Sequence, residues 1–116
     1  MIVSDSFAIA DWSDAGEDPG RPIAPLHLHR CDDEAWIVLD GTLGFRVGDE
    51  QREVAAGESL LVSRGTPHSY WNATEQPARY LLVMTPQIHR LIEALHGGER
   101  EDFARIFEEH DSELLA

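Results

Sequence analysis

The chain has 116 residues, which leaves room for one domain and one hydrophobic core. Hydrophobic residues make up 42% and charged residues 27%, the balance of an ordinary globular protein. The formal net charge is −13 and no lysine occurs, so the surface repels phosphate backbones and anionic membranes, and neither nucleic acid nor membrane is an expected partner.

The N-terminal run MIVSDSFAIADW lacks the basic start and long apolar stretch of a signal peptide, and no segment approaches membrane-spanning length. A single cysteine, Cys31, has no internal disulfide partner, which fits a reducing cytoplasm. Residues 6–12 alternate weakly and read as a strand. The following Gly-, Asp- and Pro-rich stretch, 13–25, reads as a loop. From Leu26 to Thr85, apolar runs of five to eight residues are separated by turn signals at Asp40-Gly41, Gly48-Asp49, Ala56-Gly57, Arg64-Gly65 and Thr74 to Pro77. Short strands at that spacing, with no helical pattern between them, predict an all-β sandwich or barrel.

The end of the chain changes character. Thr85-Pro86 offers a capping hydroxyl and a proline at the first helical position, and Ile88, Leu91, Ile92 and Leu95 follow at helical spacing until Gly97-Gly98. A second amphipathic stretch puts Phe103, Ile106 and Phe107 on one face. The expectation is one domain over 1–116, with a barrel over about 6–85 and two C-terminal helices over about 86–96 and 99–110, packed outside the barrel or across an open end.

The chemistry concentrates in PLHLHRCDDEAWIVLDG. Alternate strand residues share a face, so His27 and His29 project side by side and can hold one metal ion through ring nitrogens. Glu34 opens the next apolar run and is expected at the start of a neighbouring strand, within reach of the same point. His68 opens another strand after the turn RGTP and offers a further nitrogen. Taken singly, each has a plainer reading: two surface histidines, a solvated carboxylate beside Asp32 and Asp33, a half-buried strand residue. Joint spacing changes the balance.

His27, His29, Glu34 and Gly41 match the first motif of the cupin superfamily at every position, and Gly57, Gly65, His68 and Asn72 fall in register with the second. The chain thus resembles cupins, most of all the small single-domain, quercetin dioxygenase-like bacterial ones. Two positions depart from the pattern: Ser63 stands where the second motif has proline, and Arg21, beside Gly20, stands where the first has glycine. Both shape turns, so altered loops and intact ligands are expected. The resemblance implies a jelly-roll β-barrel of antiparallel strands and a site of three histidines and one glutamate that leaves coordination positions open. A closed structural zinc site would usually carry cysteine ligands. The implied cofactor is one divalent transition metal per chain, and mixed imidazole and carboxylate ligation suits Fe, Mn, Ni, Cu or Zn alike. Cys31, between His29 and Glu34, reads as a small turn residue with its sulfur off the metal.

Parity carries the expectation outward. If Glu34 faces inward, Trp36 and Val38 do too, Tyr70 follows His68, and Phe45 and Val47 are the inward residues of the next strand. Trp36, Val38, Phe45 and Tyr70 are the candidate substrate pocket, with plain core packing the competing reading and the better one for Phe45 and Val47. Ala35, Ile37 and Leu39 make the other face of that strand apolar as well, which suggests a covering sheet or a second copy in a homodimer. His89, His96 and His110 fall on the helices and read as surface residues, and Asn72 as a turn hydrogen-bonder. Metal-dependent, dioxygenase-type oxidoreductase chemistry on a small organic molecule is the leading functional expectation, with Glu34 able to double as general base. Isomerase, cyclase or lyase chemistry at the same metal, a non-catalytic metabolite binder, and a barrel used only for protein association are the alternatives.

Overall fold

The computed structural model describes residues 1–115. It contains the strands β1 (Ile2–Val3), β2 (Ala8–Asp14), β3 (Pro22–His29), β4 (Glu34–Asp40), β5 (Thr42–Val47), β6 (Glu50–Ala55), β7 (Ser59–Val62), β8 (His68–Asn72), β9 (Ala78–Met84) and β10 (Ser112–Leu114). Two helices, α1 (Pro86–Gly97) and α2 (Phe103–Glu109), lie between β9 and β10. Among the described residues the strands form two five-stranded sheets, ordered β1-β2-β9-β4-β7 and β10-β3-β8-β5-β6, and every neighbouring pair is antiparallel. This is the all-β architecture expected from the turn spacing, in the jelly-roll form that the resemblance implied. No described helix is long and apolar enough to cross a membrane.

Alternation sets what each strand buries. In β4, Glu34, Trp36 and Val38 are buried while Ile37 and Leu39 are exposed; in β9, Ala78, Tyr80, Leu82 and Met84 are buried. With Leu43, Phe45 and Tyr70 from the second sheet, these residues form the shared core. Gly41 sits between β4 and β5 at φ +75°, and a Cβ there would collide with the Pro77 carbonyl oxygen and the Ala78 backbone, which is why the tight turn needs glycine. The two motif departures leave the turns whole. The Ser63 carbonyl accepts from the Thr66 N–H at 3.2 Å, and Gly20, at φ +84°, provides the left-handed turn residue just before Arg21.

Several boundaries differ from the sequence reading. The stretch 13–25 is not all loop: β2 runs to Asp14 and β3 begins at Pro22. Its prolines hid the strand, yet they lie where the β3–β8 register shifts between Pro22, Ala24 and His27, so the missing N–H groups cost little. The second helix is shorter than expected, a 3₁₀ turn over Arg100–Asp102 leading into α2, and the chain then returns as β10 beside β3. β1 and β10 are two and three residues long, too short for periodicity to register. The start of α1 matches its signal: Thr85 Oγ1 accepts from the Ile88 N–H at 3.2 Å.

Candidate metal centre

His27 and His29 lie two apart on β3, and His68 stands directly opposite His27 in the β3–β8 ladder, so one sheet carries three imidazoles on one inner patch. Glu34 does not come from a neighbouring strand, as its place in the sequence suggested. It opens β4 in the opposite sheet and reaches across the barrel interior, because the turn after His29 carries the chain from one sheet to the other. All four residues are buried, and one potential ligand atom from each lies within 4.8 Å of the others.

The outer ring nitrogens fix what the inner ones present. His27 Nδ1 donates to the Pro25 carbonyl at 2.6 Å, and His68 Nδ1 donates to the Thr66 carbonyl at 2.9 Å, since a carbonyl can only accept. His29 Nδ1 meets Ser112 Oγ at 2.7 Å. Glu34 Oε1 then lies 2.6 Å from His68 Nε2 and 3.0 Å from His29 Nε2. With Nδ1 of His68 carrying its proton, a neutral ring would turn a lone pair on Nε2 against the carboxylate lone pairs. The arrangement demands a cation between them, either a second ring proton or a metal ion. The donor set therefore fits a divalent transition metal: Nε2 atoms and a carboxylate converge, and the outer nitrogens are already satisfied.

Electrostatics agree with a ligand role. Burial, reinforced by the nearby His68 and His29, pushes His27 down to about 3, so its imidazole stays neutral over the physiological range. Burial alone would raise Glu34, but the hydrogen bonds from His29 and His68 outweigh it and hold the carboxyl at about 2.

A cavity of about 420 Å³ opens onto this patch, and His27, His29 and Glu34 line it together with Trp12, Tyr70 and Tyr80. Trp36 is also in the lining. Val38 and Phe45 are not: both are fully buried beneath it, Phe45 stacked on Tyr70 and edge-on to Trp36, so these two candidate pocket residues are core. Val47, half-buried beside the core, also lies outside the lining. The Tyr70 and Tyr80 hydroxyls hydrogen-bond each other at 2.9 Å. Burial raises both phenols, Tyr70 well above its usual value and Tyr80 to about 12, so both remain neutral. Trp36 Nε1 is buried and finds no hydrogen-bond partner among the described residues. The rest of the lining is largely aliphatic and aromatic, with Ile88, Leu91, Ile92 and Leu95 of α1 and Phe107 of α2, so both helices border the cavity.

Cys31 is exposed, and a hydrogen bond with Asp111 raises its thiol, so it stands apart from the four ligands as a poor thiolate. Buried Asn72 organises the turn before β9 through Asp14, the Gln76 carbonyl and the Thr74 N–H. His89 and His110 are half-buried rather than surface residues; the His110 ring donates back to the Ile106 carbonyl. His96 is exposed but sits on the cavity lining, a position its helical spacing alone did not reveal. Sequence reasoning missed Ser112 altogether, because a serine at the chain's end carries no signal until β10 is paired with β3.

The family profile for the cupin domain matches residues 17–84, more than half the chain and all four converging side chains. The chain belongs to the cupin family. Among curated proteins, this cupin is 31% identical over 68 residues to the tetracenomycin polyketide synthase protein TcmJ of Streptomyces glaucescens, covering 59% of this chain and 45% of that protein. It is 39% identical over 46 residues to quercetin 2,3-dioxygenase of Bacillus subtilis, covering 40% of this chain and 14% of that enzyme. The cupin spans less than half the length of the curated relatives it matches. Among solved structures, a Thermus thermophilus protein superposes with a TM-score of 0.64 at 27% identity, over 73% of this chain and 77% of that one. The polyketide cyclase RemF of Streptomyces resistomycificus superposes with a TM-score of 0.59 at 27% identity, over 71% and 56%.

Proposed function

We propose that this cupin is a metal-dependent enzyme acting on a small, largely apolar organic molecule, with dioxygenase-type oxidoreductase chemistry as the leading reading. One observation carries it: three of the four converging metal-capable side chains, His27, His29 and Glu34, line a cavity whose other walls are mainly aromatic and aliphatic. A divalent metal bound there supplies Lewis acidity and, if redox-active, activation of dioxygen. His27, His29 and His68 hold it, with their outer nitrogens pinned. Glu34, kept ionised, is ready as the fourth ligand. As a general base it is weak while His29 and His68 donate to it, and a metal competes for those same imidazole nitrogens, so basicity rises as the hydrogen bonds are given up. Ile88, Leu91 and Phe107 give the cavity an apolar lining, and the neutral Tyr70–Tyr80 pair and the unpartnered Trp36 N–H offer polar contacts that orient an oxygen-bearing ligand.

The match to a quercetin dioxygenase supports the oxidative reading, and the two polyketide-associated relatives support non-oxidative cyclase, isomerase or lyase chemistry at the same site. Anaerobic loading with each candidate metal, followed by oxygen uptake against enols, catechols and diketones, separates them. Uptake coupled to product is the expected result. Product without uptake moves the assignment to the non-oxidative class, and binding without product leaves a metabolite carrier.

A homodimer belongs to the same reading. Ile37, Leu39 and Leu61 are 37%, 42% and 62% exposed on the outer face of the β4–β7 sheet, an apolar patch suited to a second copy. Light scattering should give twice the chain mass, and Leu61→Arg should return it to one. A monomeric mass for the unmodified protein would remove the dimer.

A further inference from the structure

The three imidazoles are not held in the same way. His27 and His68 each donate from Nδ1 to a carbonyl two residues earlier, so the local chain orients them. His29 depends on a hydroxyl 83 residues later, Ser112 Oγ at 2.7 Å. Ser112 is fully buried, and its Oγ donates to the His110 carbonyl at 3.2 Å. A hydroxyl has one hydrogen to give, and when it goes to the His110 carbonyl Oγ accepts from His29 Nδ1, the tautomer that leaves Nε2 free for a metal ion.

Ser112 reaches that position only because β10 has docked. It pairs with His29 in the β10–β3 ladder, with Glu113 opposite Leu28 and Leu114 opposite His27. The Arg30 N–H donates to the Asp111 carbonyl and the Leu115 N–H to the Leu26 carbonyl, both at 2.9 Å, which clamps either side of the Ser112–His29 contact. The chain immediately before β10 is the helical wall of the cavity, and the Phe107 ring packs 5.2 Å from that of His27.

We propose that Ser112 is the positioning residue for His29, and that through it metal binding and docking of the C-terminal strand are one linked equilibrium. This rests on the metal-site reading above. An ion that binds better when His29 is oriented must, by linkage, hold β10 down by the same factor as β10 raises its affinity. The C-terminal segment, whose helix borders the cavity, thereby reports whether the centre is loaded.

The test uses Co(II) alone as probe, on the full chain and on Ser112→Ala and Ser112→Thr. Affinity is read by chelator competition, ligand geometry by the visible Co(II) spectrum, and strand docking by amide exchange over residues 112–115. Loss of the hydroxyl should weaken Co(II) by about 10- to 100-fold, the range usual for partners that orient a metal-bound histidine. It should also shift the spectrum and abolish the slowing of exchange that Co(II) causes in the unmodified chain, while Ser112→Thr, which keeps the hydroxyl, restores all three. Ser112→Ala with undiminished affinity and an unchanged spectrum would overturn the role of Ser112 and leave the metal site standing. Weaker affinity with an unchanged spectrum and intact Co(II)-dependent protection would also overturn it, as a merely structural effect. Failure of the unmodified chain to bind Co(II) would overturn both.

Discussion

Replacing His68 with alanine is expected to abolish stoichiometric metal binding, lowering affinity by more than roughly 100-fold, since loss of a mere orienting partner already costs about 10- to 100-fold. His68 is 1% exposed, its Nε2 lies 2.6 Å from Glu34 Oε1, and its ring stands 4.3 Å from that of His27, so it is central to the convergence. Without it, Glu34 keeps only His29 as a cation-capable hydrogen-bond partner in a buried site. Elemental analysis after reconstitution should fall from one equivalent per chain to background. Thermal scans give an independent measure: a metal present at about 100 times its dissociation constant stabilises the native state by about 2.7 kcal/mol, and this gain should vanish in the variant. An undiminished equivalent of metal in His68→Ala would dismantle the site as described.

Acid sensitivity of the metal-free protein is the second large effect. His27 is held at about 3 in the folded state, against about 6.5 when unfolded, first by burial and then by His68 and His29. Between those values the unfolded chain binds the extra proton, so stability rises with pH through that window and is lost as pH falls from about 6.5 toward 3. Glu34 has the same sign lower down, from 4.5 toward about 2. Between about pH 7 and about pH 5 the His27 contribution alone amounts to about 2 kcal/mol, or roughly 5–10 °C in the unfolding midpoint. Chelator-treated protein scanned across this range checks it. His27→Phe, which cannot titrate, should flatten the slope, and a midpoint that does not move in the unmodified chain would contradict the burial argument. Metal-loaded protein should respond more steeply, because protons and the ion compete for the same nitrogens.

Much of this was open to reading in one dimension because the information is local. His27 and His29 share a face by strand parity, Gly41 is demanded by its turn, and Thr85-Pro86 starts a helix by capping chemistry. Parity also placed Trp36 and Val38 inward with Glu34. It said nothing of depth, and only packing of the two sheets put Trp36 on the cavity and Val38 and Phe45 beneath it. Likewise a strand's residues do not state which sheet it joins, so Glu34 was expected beside the histidines and instead faces them across the barrel.

What the linear chain determined by itself was the identity of the four converging side chains and the turns that let them meet. What tertiary structure alone decided was their arrangement: Glu34 opposed to three imidazoles, the helices bordering the cavity, and Ser112 brought to His29 by a three-residue strand. The physical reason is separation along the chain. Motif and periodicity report contacts made within a few residues, whereas β10 and its hydroxyl gain meaning only when distant backbone groups find each other, and the free energy for that comes from the whole packed core rather than from any local preference.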